Sequence, residues 1–215
     1  MHDPTGPVTP RRRRVTEETM IEAGIELTLP KLTVKSVAEK LGVSIVAIYN
    51  NIDDVEALKG LVAEAILRRW DFPEPTLELP IHDALLSVAM NLRALVHRNP
   101  GIAQYLVNID ADSPDALAKI DAVQQRYATV YGLRPKQAMW AVATVAEHAI
   151  ALAEMVHVTG RRQNQPAMAD RTDLTLIPRA VDRTARSLDA DFELSMRAVV
   201  LGAIAVIDDP QFETF

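Results

Sequence analysis

The chain has no cysteine. That removes a disulfide framework, a thiolate metal site and a cysteine nucleophile in one step, and it suits a reducing compartment. Aromatic residues are scarce, at 5% of the chain. No apolar run reaches the ~18 residues that a helix needs to cross a bilayer. The opening stretch MHDPTGPVTP has no apolar segment of the kind a secretory signal carries. The expectation is a cytoplasmic protein with no membrane partner. Clean alternation of β-branched and polar residues is missing too, which argues against strands. So are a G-x-S-x-G elbow, a phosphate-binding glycine loop, an H-E-x-x-H helix and a tight carboxylate pair in a loop. His82 and Asp83 are neighbours in sequence, but consecutive helical positions point to different sides. No enzyme is expected.

What is present is alanine and other strong helix formers, within an ordinary globular composition of 48% apolar and 24% charged residues. An all-α fold of one or two domains follows, long enough at 215 residues to bury a core. The net charge of −6 is unevenly spread. Residues 1–52 hold seven Lys/Arg against six acids, and the remainder holds 16 against 23. Four of the seven are consecutive, Arg11, Arg12, Arg13 and Arg14. Partners respond to such local fields and not to the total.

Punctuation along the chain sets the elements. Residues 1–10 carry three prolines and no periodicity, and residues 1–13 read as a disordered basic arm. Thr16 caps a helix to Leu27, with Met20, Ile21, Gly24 and Leu27 on one face. Leu29-Pro30-Lys31 is a break. Thr33 caps a helix over 34–41, Gly42 ends it in the left-handed conformation, and Ser44 caps a short helix over 45–50. Asp53 and Asp54 cap a longer helix to about Trp70. FPEPTLELP (72–80) is a non-helical linker. Further helices are expected over 81–97, 101–108, 113–131 (Ser113 as N-cap, Pro114 at the first position), 135–158 and 189–207, with one more from about Leu174 that Pro178 interrupts. About nine helices result. The domain division expected is 14–53 for a helix-turn-helix and 54–215 for a second domain.

Residues 33–51 form helix, glycine turn, helix. Gly42 makes the turn, small Ala38 lets two helices cross closely, and Val43 and Ile48 plug the core. That leaves Ile45, Val46, Ala47, Tyr49 and Asn50 outward on a short helix with almost no charge. The stretch from about Arg14 to Leu58 resembles the DNA-binding domain of the TetR family of transcriptional regulators. The resemblance rests on MIEAGIEL, LTVKSVAEKLGVSIVAIYNN and EAL, with IVAIY as the recognition helix ending in Tyr49. GLRPKQAMWAVATVAEHAIAL (132–152), DFELSMRAVVLGAIAVI (191–207) and RALVHRNPG (93–101) are similar to the family's tetracycline-repressor-like regulatory domain.

The resemblance implies a homodimer that sets two recognition helices in successive major grooves of a palindromic double-stranded operator, ~34 Å apart. It implies that Thr33, Lys35 and the helix-capping Ser44 lie at the DNA face, with Thr33 and Lys35 on phosphates, and that Tyr49 and Asn51 hold the backbone. Ile45, Val46 and Ala47 would face base edges and read thymine methyl groups, with Asn50 as the nearby amide. One departure stands out. The family row Tyr-x-His-Phe-x-x-Lys is here Tyr49-Asn50-Asn51-Ile52-Asp53-Asp54-Val55, so a phosphate-gripping lysine is replaced and two acids precede it. Arg11 to Arg14 could compensate along the backbone or in the minor groove. The alternative is a helix-turn-helix that no longer reads DNA and serves as a protein-interaction module.

For the second domain the resemblance implies a small-molecule effector whose binding releases DNA. The aligned pocket places are Trp70, Ser87, Asn91 and Tyr105, with Trp140, Glu147 and His148 as further candidates. For Trp70 and Tyr105 the competing role is core, and for His148 it is surface or interface. The place that holds magnesium in tetracycline-binding members is Tyr105, so no metal and no cofactor are implied. The helices at 135–158 and 189–207 are apolar nearly all round, which fits an intersubunit four-helix bundle or a monomeric core.

Overall fold

The computed structural model describes residues 15–109, 113–158, 171–175 and 188–214. Within these the secondary structure is helical. Nine α-helices are present among the described residues: α1 (Glu17–Leu27), α2 (Val34–Leu41), α3 (Ile45–Tyr49), α4 (Val55–Arg69), α5 (Ile81–Arg98), α6 (Ala103–Leu106), α7 (Pro114–Tyr131), α8 (Pro135–Val158) and α9 (Leu188–Ile207). Two compact units divide inside α4, the first spanning Met1–Ile66 and the second Leu67–Phe215.

In the first unit each of the helices α1 to α4 starts on a side-chain cap. Thr16 and Thr33 accept from the backbone N–H groups of Thr19 and Ser36 at 3.3 and 3.0 Å. Thr19 and Ser36 accept in return from the cap N–H groups at 3.0 and 2.9 Å. These are capping boxes closed by hydroxyls where glutamate is usual. Ser44 accepts from Ala47 N–H at 3.2 Å and so starts α3. Asp54 accepts from Ala57 N–H at 2.8 Å and so starts α4. Gly42 sits at φ 68° and closes α2, and Val43 N–H then reaches back to Ala38 carbonyl at 3.0 Å. This left-handed stop turns the chain sharply into α3. α1 packs on α2 and α2 on α3. Met20, Ile21, Leu32, Val37, Ala38, Ile48, Leu58 and Val62 are buried in this unit.

In the second unit α8 is the central helix. It packs against α5, α6, α7 and α9, and α5 also meets α9. Ala138, Ala141, Val145, Ala149 and Ala153 on α8 are buried, and these small residues let neighbours approach closely. The 3-10 turn Phe212–Thr214 is fixed at the start of α8. There Phe212 stacks edge-on to Trp140 at 5.7 Å, and Gln137 donates to Ile207 carbonyl at 2.7 Å. The non-helical stretch 72–80 belongs to this unit and is tied to α7. Tyr131 hydroxyl donates to Leu79 carbonyl at 2.8 Å, and Arg126 pairs with Glu74 at 3.0 Å.

Two expectations need amendment. Ser113 occupies the N-cap position of α7 but makes no side-chain cap bond; Pro114 at the first helical position carries the start. The helix expected from Leu174 does not begin there, because Leu174 and Thr175 are non-helical. The remainder of that expectation, including Pro178, lies outside the described residues, as do Arg11, Arg12, Arg13 and Arg14.

Candidate functional site

The first candidate site is the outer face of α3. Ile48 is fully buried, which fixes the rotation of this short helix. Ile45, Val46 and Tyr49 are then left 43%, 67% and 51% exposed. Apolar side chains on a solvent face lower solubility and add nothing to the core, so such a patch points to a partner. Ser44 and Asn50 are exposed beside it, and Ala47 is half-buried. Asn51 is exposed, and one amide hydrogen of its side chain goes to Ala47 carbonyl at 2.9 Å, closing the end of α3.

Thr33 and Lys35 are exposed at the start of α2, the end of a helix where dipole and free N–H groups favour anions. Lys35 lies 3.8 Å from Glu39 with both side chains largely in solvent, a pairing that holds the ammonium only weakly. Asp54 is engaged as the cap of α4. Its acidity therefore has a structural use in this fold.

The second candidate site is a cavity of about 530 Å³ inside the second unit, a size suited to a small organic molecule. Its walls come from Leu67 at the end of α4, from Phe72, from Leu106, Val107 and Ile109 at and after the end of α6, and from one face each of α5, α7 and α8. On α8 the lining positions are 142, 143, 146, 147, 150 and 151, a helical stripe. Gln124 on α7 and Glu147 on α8 are the polar members among the described lining residues; the rest are apolar.

The end of α4 beside this cavity is clamped to α7. Lys119 donates to Arg68 carbonyl at 2.7 Å and to Trp70 carbonyl, and Arg68 pairs with Asp115 at 3.1 Å. Partial burial of Lys119 lowers its pKa below the usual lysine value, against the upward pull of Asp71. On the same helix Tyr127 is almost wholly buried, and desolvation pushes its phenol well above the ordinary tyrosine range.

Of the seven ligand candidates read from sequence, six are absent from the cavity wall. Trp70 and Asn91 come together, with the indole N–H donating to the Asn91 side-chain carbonyl at 2.7 Å, and Asn91 then donates to Asp71 carbonyl at 3.1 Å. Ser87 donates to Asp83 carbonyl in its own helix at 2.8 Å. His148 is exposed, with Nδ1 2.7 Å from Thr144 carbonyl. Trp140 packs against Phe212. Tyr105 is half-buried in α6. Glu147, also noted from sequence, does line the cavity. The wall residues Phe72, Val88, Leu92, Ile120 and Gln124 were missed. The stripe spacing on α8 was the available signal, since it exceeds what one buried face needs.

No protein-family model matches the chain, and no curated protein does. Solved structures do. Apo ActR from Streptomyces coelicolor matches with a TM-score of 0.71 at 14% identity, over 91% of this chain and 99% of that one. A variant of TetR from Acinetobacter baumannii AYE in complex with minocycline gives 0.69 at 20% identity, over 91% and 96%. SCO7222, a TetR from Streptomyces coelicolor, gives 0.68 at 20% identity, over 91% and 100%. ActR also matches in its complex with actinorhodin, with a TM-score of 0.67 at 17% identity over 90% and 97%. The chain has the all-α fold of the TetR-family regulators, as its sequence led us to expect. No helix among the described residues is long and apolar enough to cross a membrane.

Proposed function

We propose that this protein is a ligand-responsive, DNA-binding transcriptional regulator, acting as a repressor that a small molecule releases, and that it is not an enzyme. The observation that carries the proposal is the exposed apolar face of α3, held outward by the buried Ile48. Ile45, Val46 and Ala47 meet thymine methyl groups in the major groove, and Asn50 supplies an amide to read an adenine beside them. Ser44, Thr33, Lys35, Tyr49 and Asn51 contact the phosphate backbone. Arg11 to Arg14 add charge to the same task. A cytoplasmic location goes with that role.

The protein works as a homodimer through α8 and α9. On α9, Leu194, Leu201 and Val206 are 50%, 61% and 40% exposed, and Ala198, Gly202 and Ala205 are exposed with them. These positions share one face, and their small members let a second helix approach closely. The α8 positions 148 and 155, two turns apart, are likewise exposed on one side of that helix.

The effector occupies the cavity. Its wall includes Leu67, in the last turn of α4, and α4 runs without a break from Val55 to Arg69. A ligand that favours one placement of this last turn biases the whole helix. Release is then a coupling free energy between two sites.

The test is fluorescence anisotropy with DNA from immediately upstream of the coding sequence, against scrambled DNA of equal length, at several salt concentrations. Sequence-selective binding in the nanomolar range with a steep salt slope is expected. Equal, weak binding to both DNAs, with an empty genome-wide selection, would overturn it. The departure at Val55 and the acidic Asp53-Asp54 pair would then favour a protein-interaction module.

A further inference from the structure

The composition of the cavity wall restricts what it can hold. A space of about 530 Å³ takes an organic molecule of ordinary size. Its described walls are aliphatic apart from Phe72, so most of the occupant must be apolar. The charge at the wall has one sign. Glu147 contributes a carboxylate, Gln124 a neutral amide, and no described lining residue is basic.

Bases on the neighbouring elements are committed elsewhere. Lys119 sits between the lining positions 117 and 120; its ammonium is bonded to the carbonyls of Arg68 and Trp70 and lies 5.7 Å from the centroid of the Phe72 ring, so this base near the wall is already held by carbonyls and a ring face. Arg68 pairs with Asp115 at 3.1 Å and Arg126 with Glu74 at 3.0 Å, and Arg93 pairs with Asp189. A carboxylate, sulfate or phosphate group would leave water here without a counter-charge and would face Glu147, whereas a cation would gain one.

We propose that the occupant of this cavity is a lipophilic cation: an apolar frame filling the space between α5, α7 and α8, with an ammonium or comparable positive group at Glu147 and the Gln124 amide as second polar contact. The name "effector" for that occupant rests on the regulator reading, but the binding itself does not. Glu147 is exposed in the present structure. The charge therefore docks at the rim of the cavity, and the frame carries most of the contact.

Two probes of closely similar shape and opposite charge decide the matter, tetraphenylphosphonium and tetraphenylborate, each titrated calorimetrically into the full chain without DNA. The phosphonium should bind at least about tenfold more tightly than the borate. Glu147→Gln should bring the two within about threefold of each other, Glu147→Lys should invert the order, and Glu154→Gln on the same helix should leave it unchanged. Equal binding, a borate preference, no binding of either ion, or a preference that survives Glu147→Gln would each overturn the proposal. Operator binding is measured separately. Phosphonium binding with this pattern in a protein that ignores DNA would sink the regulator reading and leave the cation site standing.

Discussion

Gly24 lies in the middle of α1, where alanine would normally gain about 1 kcal/mol of helix propensity. Here a β-carbon would press into Val62 and stand 2.8 Å from Leu32. Both neighbours are buried and have little room to yield. Overpacking of this kind costs about 1–3 kcal/mol, so it exceeds the propensity gain. Gly24→Ala should lower the thermal midpoint in a circular-dichroism melt, and a raised midpoint would refute the close approach of α1 and α4. Thr28 poses the opposite case. It follows α1 at φ 65° and ψ 146°, a region that costs a β-branched residue about 1–3 kcal/mol. Glycine removes that strain and adds about 0.5–1 kcal/mol of chain entropy to the unfolded state. Thr28→Gly should therefore stabilise slightly, read as a higher urea midpoint at unchanged slope. At this scale the sequence spoke clearly. Thr16, Thr33, Ser44 and Asp54 are short polar side chains just ahead of apolar periodicity, and each one caps. Thr28 gave no such signal, since nothing about a threonine announces a positive φ.

Helix α4 gathers several of these threads. It starts on the Asp54 cap, with Val55 where the family resemblance expects a lysine, and it ends on the carbonyls that Lys119 holds. Val55 is only half-buried, so a lysine there can reach solvent. A positive charge at a helix start costs a few tenths of a kcal/mol against the dipole. One added phosphate contact should steepen the salt slope of DNA binding by about one unit per subunit. Val55→Lys is thus expected to tighten binding at low salt and to make it more salt-sensitive. An unchanged slope would mean that this end of α4 does not face the phosphates. Helix extents were legible from caps, the Gly42 turn and apolar period. The cavity was not. Polar and aromatic residues were the natural candidates for a binding wall, yet buried polar groups first satisfy each other. Trp70 and Asn91 do so, and Ser87 bonds its own helix. Apart from Phe72, Gln124 and Glu147 the wall is left to aliphatic residues, whose identity alone does not set them apart from core.

At the scale of the molecule the open question is what covers α9. A helix buried on one side by Phe192, Met196, Val200, Ala203 and Ile207 also exposes Leu194, Leu201 and Val206. A monomer gains nothing from that second face, and a two-fold partner would present the same face in return. Leu201 is the most exposed of the three. Leu201→Glu leaves the monomer's core untouched but places two carboxylates at a self-complementary contact, where both would be desolvated without partners. The expected outcome is a monomer in analytical ultracentrifugation at micromolar concentration, with circular dichroism unchanged. Operator affinity should fall with it, because a single reading head gains only half of the base and phosphate contacts and loses the fixed ~34 Å spacing. Phosphonium binding should persist, since Leu201 is not part of the cavity wall. A Leu201→Glu protein that stays dimeric would place the contact on another face, and one that is monomeric yet binds the operator at full strength would separate dimerisation from DNA reading.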